Sequence, residues 1–283
     1  MTLDNTWFSE PQPDSGTAFS LKVTEKLHEE QSPFQKIEIF QTESFGKLMV
    51  IDGYIMLTDR DNFIYHEMMS HPVLFSHPNP EQILIIGGGD CGTLREVLKH
   101  NTVKSAQQVD IDERVTRLSE IHFPELCESN SDPRAELHFE DGINWVKNTD
   151  AASYDVIIVD STDPIGPGEV LFSTEFYKNC QRILKKGGML VQQSESPLLH
   201  YDTILKPMHQ RMQAAGSEHT LSFNFPQCVY PSGWWSCTIG ASVPLQSFRE
   251  SDASNKTFTT HYYNSAIHKA AMALPEFMKD LGE

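Results

Sequence analysis

From residue 65 onward, short apolar runs alternate with stretches of helical spacing, and few folds accommodate that order. The runs cover 83–86, 109–111, 137–139, 156–159 and 189–191, and helical stretches lie between them at 93–99, 114–121 and 173–184. An apolar run of three or four residues is too short for a buried helix. It suits a strand covered on both faces, as in a parallel sheet. The runs recur at roughly one strand-plus-helix unit, which predicts an α/β fold with a doubly wound parallel sheet and covering helices. A helix is also expected over 64–75, stopped near Pro72, because proline has no N–H to donate.

The first part of the chain reads differently. Leu21 and Val23 alternate with polar neighbours, as do Ile37 and Ile39, which is the period of a half-buried strand. Residues 48–51, the pair Asp52-Gly53 and residues 54–58 form a hairpin signal, since Asp-Gly suits a turn with positive φ. The 283 residues therefore divide into a small β-strand domain over 1–64 and a larger α/β domain over 65–283. So small a sheet is marginal alone and is expected to pack on the rest of the chain or on a second subunit.

Charge narrows the partners. Lys plus Arg number 22 against 39 for Asp plus Glu, a net charge of −17. Such an excess is ordinarily a solubility device, but it also repels phosphate backbones and attracts cations, so no nucleic-acid partner is expected. No apolar run approaches the ~20 residues of a membrane span. The opening stretch MTLDNTWFSEPQPD is acidic and polar, unlike a secretory signal. The five cysteines contain no C-x-x-C pair, and the 12 histidines form neither H-x-x-x-H nor H-E-x-x-H. No disulfide framework, zinc ribbon or catalytic metal is expected, and a reducing cytoplasm is the natural compartment.

In doubly wound sheets, ligands sit at the carboxyl ends of the strands. After the first strand comes IIGGGDCGTLRE (85–96), where Gly87, Gly89 and Gly92 make a G-x-G-x-x-G loop. Asp90 inside that loop would repel a pyrophosphate and favour a cation such as a sulfonium or an ammonium; alternatively it caps the following helix. After the second strand, QVDID (108–112) offers Asp110 or Asp112 to ribose hydroxyls, the other capping the helix from Arg114. After the third, HFEDGINW (138–145) places Asp141 and Gly142 where an exocyclic amine could be bound, or where Asp141 caps a helix. After the fourth, VDSTDPIGPGE (159–169) carries Asp160 and Asp163 in a loop that Pro164 and Pro167 stiffen and Gly166 and Gly168 let turn, as suits a lid. Apart from Arg95 in the helix, no Lys or Arg stands in these loops. The cleft is predicted to be anionic and to take a small polycation.

These residues resemble the spermidine synthases, a family of polyamine aminopropyltransferases. The resemblance runs from about residue 19 to residue 281 and rests on YHEMMSHP (65–72), GGGDCGTLRE (87–96), DSTDPIGPGE (160–169), YPSGWWS (230–236) and YYNSAIHKAAMALP (262–275). It implies an N-terminal β domain and a Rossmann-like, methyltransferase-type catalytic domain. It also implies aminopropyl transfer from decarboxylated S-adenosylmethionine, a co-substrate, to putrescine, giving spermidine and 5′-methylthioadenosine without a further cofactor. By resemblance, Asp160 is the general base. Gln35, Gly87, Gly89, Asp110, Asp141, Gly142 and Pro167 surround the donor, and Asp90 holds its aminopropyl ammonium. Tyr65, His66, Asp163 and Tyr230 line the polyamine channel, with Glu195 of QSESPLLH (193–200) as a further candidate. A cytoplasmic homodimer, or a dimer of dimers joined partly through the N-terminal sheet, is implied as well.

The chain departs from the family pattern at three places. Cys91 stands where Gly is common, Asp110 where Glu is usual, and Met56 where many members have Gln ahead of TDRD (58–61). From the residues, burial and the charges of Asp163 and Asp90 are expected to raise the pKa of Asp160, and no cation is expected near Asp90. Competing readings are a methyltransferase on the same fold, a non-catalytic polyamine-binding protein, and an NAD-dependent dehydrogenase, whose pyrophosphate loop would lack Asp90.

Overall fold

The computed structural model describes residues 3–163, 166–245 and 247–281, without the side chains of Gly166 and Pro167. The first strands are β1 (Trp7–Gln12), β2 (Thr17–Gln31), β3 (Lys36–Thr42), β4 (Lys47–Ile51) and β5 (Tyr54–Thr58). They form one antiparallel sheet in chain order. Asp52 and Gly53 have φ of 49° and 89°, so the β4–β5 hairpin turns where Asp-Gly predicted it.

The second sheet contains β6 (Gln82–Gly87), β7 (Ser105–Asp110), β8 (Ala135–Phe139), β9 (Tyr154–Asp160), β10 (Leu184–Gln193), β11 (His219–Pro226) and β12 (Trp234–Ala241). The helices are α1 (Asn62–Ser76), α2 (Gly92–Leu98), α3 (Glu113–His122), α4 (Gly142–Asn148), α5 (Thr174–Ile183), α6 (Lys206–Ala214), α7 (Glu250–Ser254) and α8 (Ser265–Ala271). The strand order is β11-β12-β10-β9-β6-β7-β8. This is the expected α/β class with a small N-terminal sheet. The sheet is not wholly parallel, however: β12 pairs antiparallel with both β10 and β11. The apolar runs identified the parallel centre, and the antiparallel edge, half polar in composition, escaped them.

The chain leaves β6 toward β7 and β8, then returns to the other side of β6 as β9. The carboxyl ends of β6 and β9 therefore flank the switch point, where a doubly wound sheet opens a crevice. Gly87 pairs with Asp160 there. Gly87 has φ of 81°, and a Cβ on it would collide with the Asp160 carbonyl oxygen, so the position requires glycine.

The expected helix stop at Pro72 is not found. Helix α1 continues through Pro72 to Ser76. Proline removes the hydrogen bond to the carbonyl four residues earlier, that of Met68. That carbonyl accepts instead from Cys237 Sγ on β12, at 3.5 Å. Nearly all of α1 is buried between the sheet and the C-terminal segment, so tertiary packing outweighs the proline.

The N-terminal sheet is not isolated. Ile37, Ile39, Met49 and Leu57 pack on Val115 and Leu118 of α3 and on Phe123, and Leu48, Val50 and Ile55 pack with Val229. Among the described residues, no helix is long and apolar enough to cross a membrane.

Candidate active site

Asp160 ends β9 and is 9% exposed. Its two carboxylate oxygens have separate donors: Tyr65 Oη gives to Oδ1 at 2.7 Å and Thr93 Oγ1 gives to Oδ2 at 2.6 Å. Its carbonyl accepts from Gly88 N at 2.8 Å, which ties it to the glycine loop. Burial pushes the Asp160 carboxyl above its ordinary value and the charge of Asp90 adds to this, while His66, Thr93 and Tyr65 pull the other way. Asp163, expected to crowd Asp160, turns elsewhere.

Of the two roles that the sequence left open for Asp90, the structure shows the helix cap, and it adds a contact with His66. Oδ1 accepts from Gly92 N at 2.6 Å, at the start of α2, and the same oxygen stands 3.2 Å from His66 Nε2. The expectation of no cation near Asp90 did not foresee this imidazole, which is a cation when protonated. Burial opposes both charges, yet the pair wins: the His66 pKa is raised and that of Asp90 is lowered. Gly92 makes the contact possible, because a Cβ there would overlap the His66 ring. Cys91 adopts φ of 68° and continues the turn despite its side chain. Its Sγ is 3.6 Å from Gln108 Nε2.

At the end of β7 the structure separates Asp110 from Asp112. Asp112 caps α3 through Arg114 N at 3.0 Å and accepts from Ser32 Oγ and Gln35 Nε2 at 2.6 and 3.0 Å. Gln35 thus reaches across from the N-terminal sheet and commits its amide to Asp112, not to the open cleft. Asp110 Oδ1 accepts from Asp112 N at 2.8 Å, and Oδ2 has no protein partner among the described residues. Burial and the neighbouring carboxylates Asp112, Asp160 and Asp90 push Asp110 to about 6. The Gly89 carbonyl accepts from Thr116 Oγ1 at 2.8 Å and fixes the loop to α3. Asp141 caps α4 through Ile143 N at 2.8 Å and also accepts from Asn144 Nδ2 at 3.0 Å, with Gly142 as the first helical residue. Pro164 lies outside the described residues. Pro167 lies in a 3-10 turn over Gly166–Phe172, and its side chain is outside them.

Tyr65, which bonds Asp160, and Ser161, which follows it, line a narrow cavity of about 40 Å³. Glu10, Tyr65, Asp163, Gln193, Tyr230 and Trp235 are among its walls. Tyr230 Oη donates to the Met56 carbonyl at 2.5 Å, and its ring meets Tyr65 and Trp235 edge-on at 5.7 and 4.8 Å. Met56 therefore enters the site through its backbone carbonyl. Of the two adjacent tryptophans, Trp235 lines the cavity, whereas Trp234 packs on Phe277.

Asp163 and Glu195 share a hydrogen bond between their carboxyl groups. Burial and the Glu195 charge hold Asp163 well above the carboxylate range, and burial pushes Glu195 up to about 6. Glu195 has φ of 65°, and His200 Nδ1 is 3.2 Å from its Oε2.

Two participants escaped the sequence reading. Glu10 of β1 is 4% exposed and accepts from Ile55 N at 2.6 Å, while burial raises its pKa. The available signal was phase, since Glu10 shares a strand face with Phe8. Thr93 had no signal, because a threonine in the first turn of a helix is ordinary.

The chain is similar to known proteins over almost all its length. Residues 62–250 match the family model described as the spermine/spermidine synthase domain, and residues 6–59 match the spermidine synthase tetramerisation domain. The chain is 66% identical over 280 residues to the polyamine aminopropyltransferase of Thioalkalivibrio sulfidiphilus, covering 99% of this chain and 98% of that protein. It is 61% identical over 274 residues to that of Methylococcus capsulatus, covering 97% and 96%. A crystal structure of spermidine synthase in complex with the transition-state analogue AdoDATO superposes with a TM-score of 0.93 at 34% identity, over 100% of this chain and 96% of that one. The spermidine synthase of Thermotoga maritima gives 0.92 at 33%, with the same coverage.

Proposed function

This chain belongs to the spermine/spermidine synthase family, and from that premise we propose that it transfers the aminopropyl group of decarboxylated S-adenosylmethionine to putrescine. The products are spermidine and 5′-methylthioadenosine. The chain is an enzyme, a transferase of alkyl groups. The observation that carries the finer reading is the Asp160 carboxylate, buried beside the glycine loop, with Thr93 on one oxygen and, on the other, Tyr65, which also lines the cavity that Glu10 and Asp163 wall.

The donor carbon is activated by its own sulfonium. The amine nitrogen attacks it, the carbon–sulfur bond breaks, and its electron pair goes to sulfur. No metal or redox cofactor enters the proposal. The attacking nitrogen must be unprotonated. For an alkylammonium with a pKa near 10.4, reaching the free amine at pH 7 costs roughly 4–5 kcal/mol. Asp160 takes a proton from the nitrogen as the bond forms, and its raised pKa makes it a better base than an exposed aspartate. Tyr65 and Thr93 fix the carboxylate's orientation, which favours alignment of nitrogen with carbon.

In this reading Asp163, Glu195 and Glu10 receive the distal ammonium of the diamine. Asp110 accepts from the ribose hydroxyls, Asp141 and Gly142 receive the adenine amine, and Pro167 belongs to the lid. Gln35 acts through Asp112. Asp90, paired with His66, receives the aminopropyl ammonium, so the cleft's uncompensated negative charge lies mainly on the Asp160 side. The match of residues 6–59 to a tetramerisation domain supports a homo-oligomer joined through the N-terminal sheet, and we place the enzyme in the cytoplasm.

The test is a product assay without added metal. Decarboxylated S-adenosylmethionine is offered with putrescine, cadaverine, agmatine or spermidine, and products are quantified by mass spectrometry. Spermidine formed chiefly from putrescine is expected. Preference for another amine would change the acceptor, and comparable turnover of ordinary S-adenosylmethionine would sink the donor assignment.

A further inference from the structure

A second cavity, of about 330 Å³, lies where the C-terminal end of α1 meets the segment after α2 and the turn around α7. The reaction described above makes no use of it. Its size is within the range of small-ligand sites. Its charge is opposite to that of the chain. Lys99, Arg249 and Lys256 line it, against one carboxylate, Asp252. Arg249 bonds Asp252 at 2.5 Å, and its other donors hold the carbonyls of His77 and Leu74, both at 2.9 Å, so its position is fixed. Lys99 reaches the Glu96 carboxylate at 2.7 Å. Among the described residues, no carboxylate lies within ion-pair distance of Lys256, whose ammonium is 6.0 Å from the Tyr263 ring centre.

One wall is aromatic. The His100 ring centre is 4.8 Å from that of Phe75 and 5.0 Å from that of Phe258, and all three residues line the cavity. His100, 4% exposed, also ends a buried chain of polar contacts. Glu96 Oε2 is 3.1 Å from His71 Nε2, and His71 Nδ1 is 3.0 Å from His100 Nε2. The Glu96 carboxylate can only accept, so His71 donates to it. No protein group among the described residues bonds His100 Nδ1. Thr102, also in the lining, has a buried Oγ1 with no partner. Buried polar groups are ordinarily satisfied, and unsatisfied ones beside a cavity point to a missing occupant.

We propose that this cavity binds a small organic anion, with phosphate or carboxylate oxygens at Lys256, Arg249 and Lys99 and a flat or apolar body against Phe75, His100 and Phe258. The acidic catalytic cleft would repel the same ligand, so the two sites are separable.

The probe is phenyl phosphate, which joins a dianion to a flat ring, offered to the full chain at low salt. Saturation-transfer and phosphorus NMR read its binding. Binding at millimolar concentration is expected, weakened at least about tenfold by Lys256→Glu and retained by Lys256→Arg. Benzyl alcohol, the uncharged ring, is expected to bind more weakly than phenyl phosphate. No binding of phenyl phosphate by the wild-type protein would overturn the proposal. Equal binding by Lys256→Glu would also overturn it, because the anion would then sit elsewhere. Thermal melting of both variants checks that they are folded.

Discussion

The phenol of Tyr65 donates to Asp160 Oδ1 at 2.7 Å, joining the first turns of α1 to the end of β9. The two residues are far apart in sequence, and the bond stabilises the ionised carboxylate. Removing it in Tyr65→Phe is expected to raise the pKa of Asp160 further. The carboxylate also loses the contact that orients it toward the nitrogen, and for that reason kcat should fall roughly 10- to 100-fold. The acidic limb of the pH–rate profile should move to higher pH. A limb that stays in place would separate Tyr65 from the titration of Asp160.

Replacing the base itself has a different signature. Asp160→Asn keeps the shape of the side chain and allows Thr93 Oγ1 a partner, so the protein should fold and bind 5′-methylthioadenosine as the wild type does. Turnover should drop by about 10²- to 10⁴-fold, the usual contribution of a positioned general base. Calorimetry with the nucleoside and steady-state kinetics check the two halves. Unchanged turnover would remove Asp160 as base.

The acidic wall beyond Asp160 should matter to the acceptor and not to the donor. Glu10→Gln removes a charge from the cavity wall and Glu195→Gln one from the partner of Asp163, each keeping an oxygen acceptor for neighbouring donors. Each is expected to raise the KM for putrescine about tenfold, with the donor KM little changed. A rise confined to the donor would reassign this wall.

Two carboxyls, Asp110 and Glu195, are held at about 6 in the folded protein. Both must be ionised to receive hydroxyl hydrogens or ammonium groups, so kcat/KM should climb as pH rises through about 6 and then level. Stability should run the other way. An acid whose folded pKa is raised binds extra protons when folded, so its contribution is complete below its unfolded value near 3.8. It is lost as pH rises through about 6. Thermal melts of the wild type should therefore show falling stability from pH 5 to pH 7. Asp110→Asn should be more stable than the wild type at pH 7 by about 1–3 kcal/mol and less sensitive to pH in that window. A variant less stable than the wild type at pH 7 would contradict the burial argument.

Asp110 and Asp112 show where local reading stops. Their residue types and place at a strand end marked both as site candidates, but only the reach of Ser32 and Gln35 from the other sheet made Asp112 a structural cap. The four acidic strand ends, the glycine loop and the Asp-Gly hairpin were legible because each depends on backbone conformation and charge within a few residues. So was the parallel centre of the sheet, whose apolar runs report burial on both faces. Tertiary structure decided the rest. It carried α1 through Pro72, placed His66 beside Asp90, and brought Glu10 to a cavity whose other acid, Asp163, lies far along the chain. Sequence pattern encodes what a residue prefers among its neighbours in the chain. Which distant group takes an orphaned carbonyl, or shields a buried charge, depends on packing among all the elements at once.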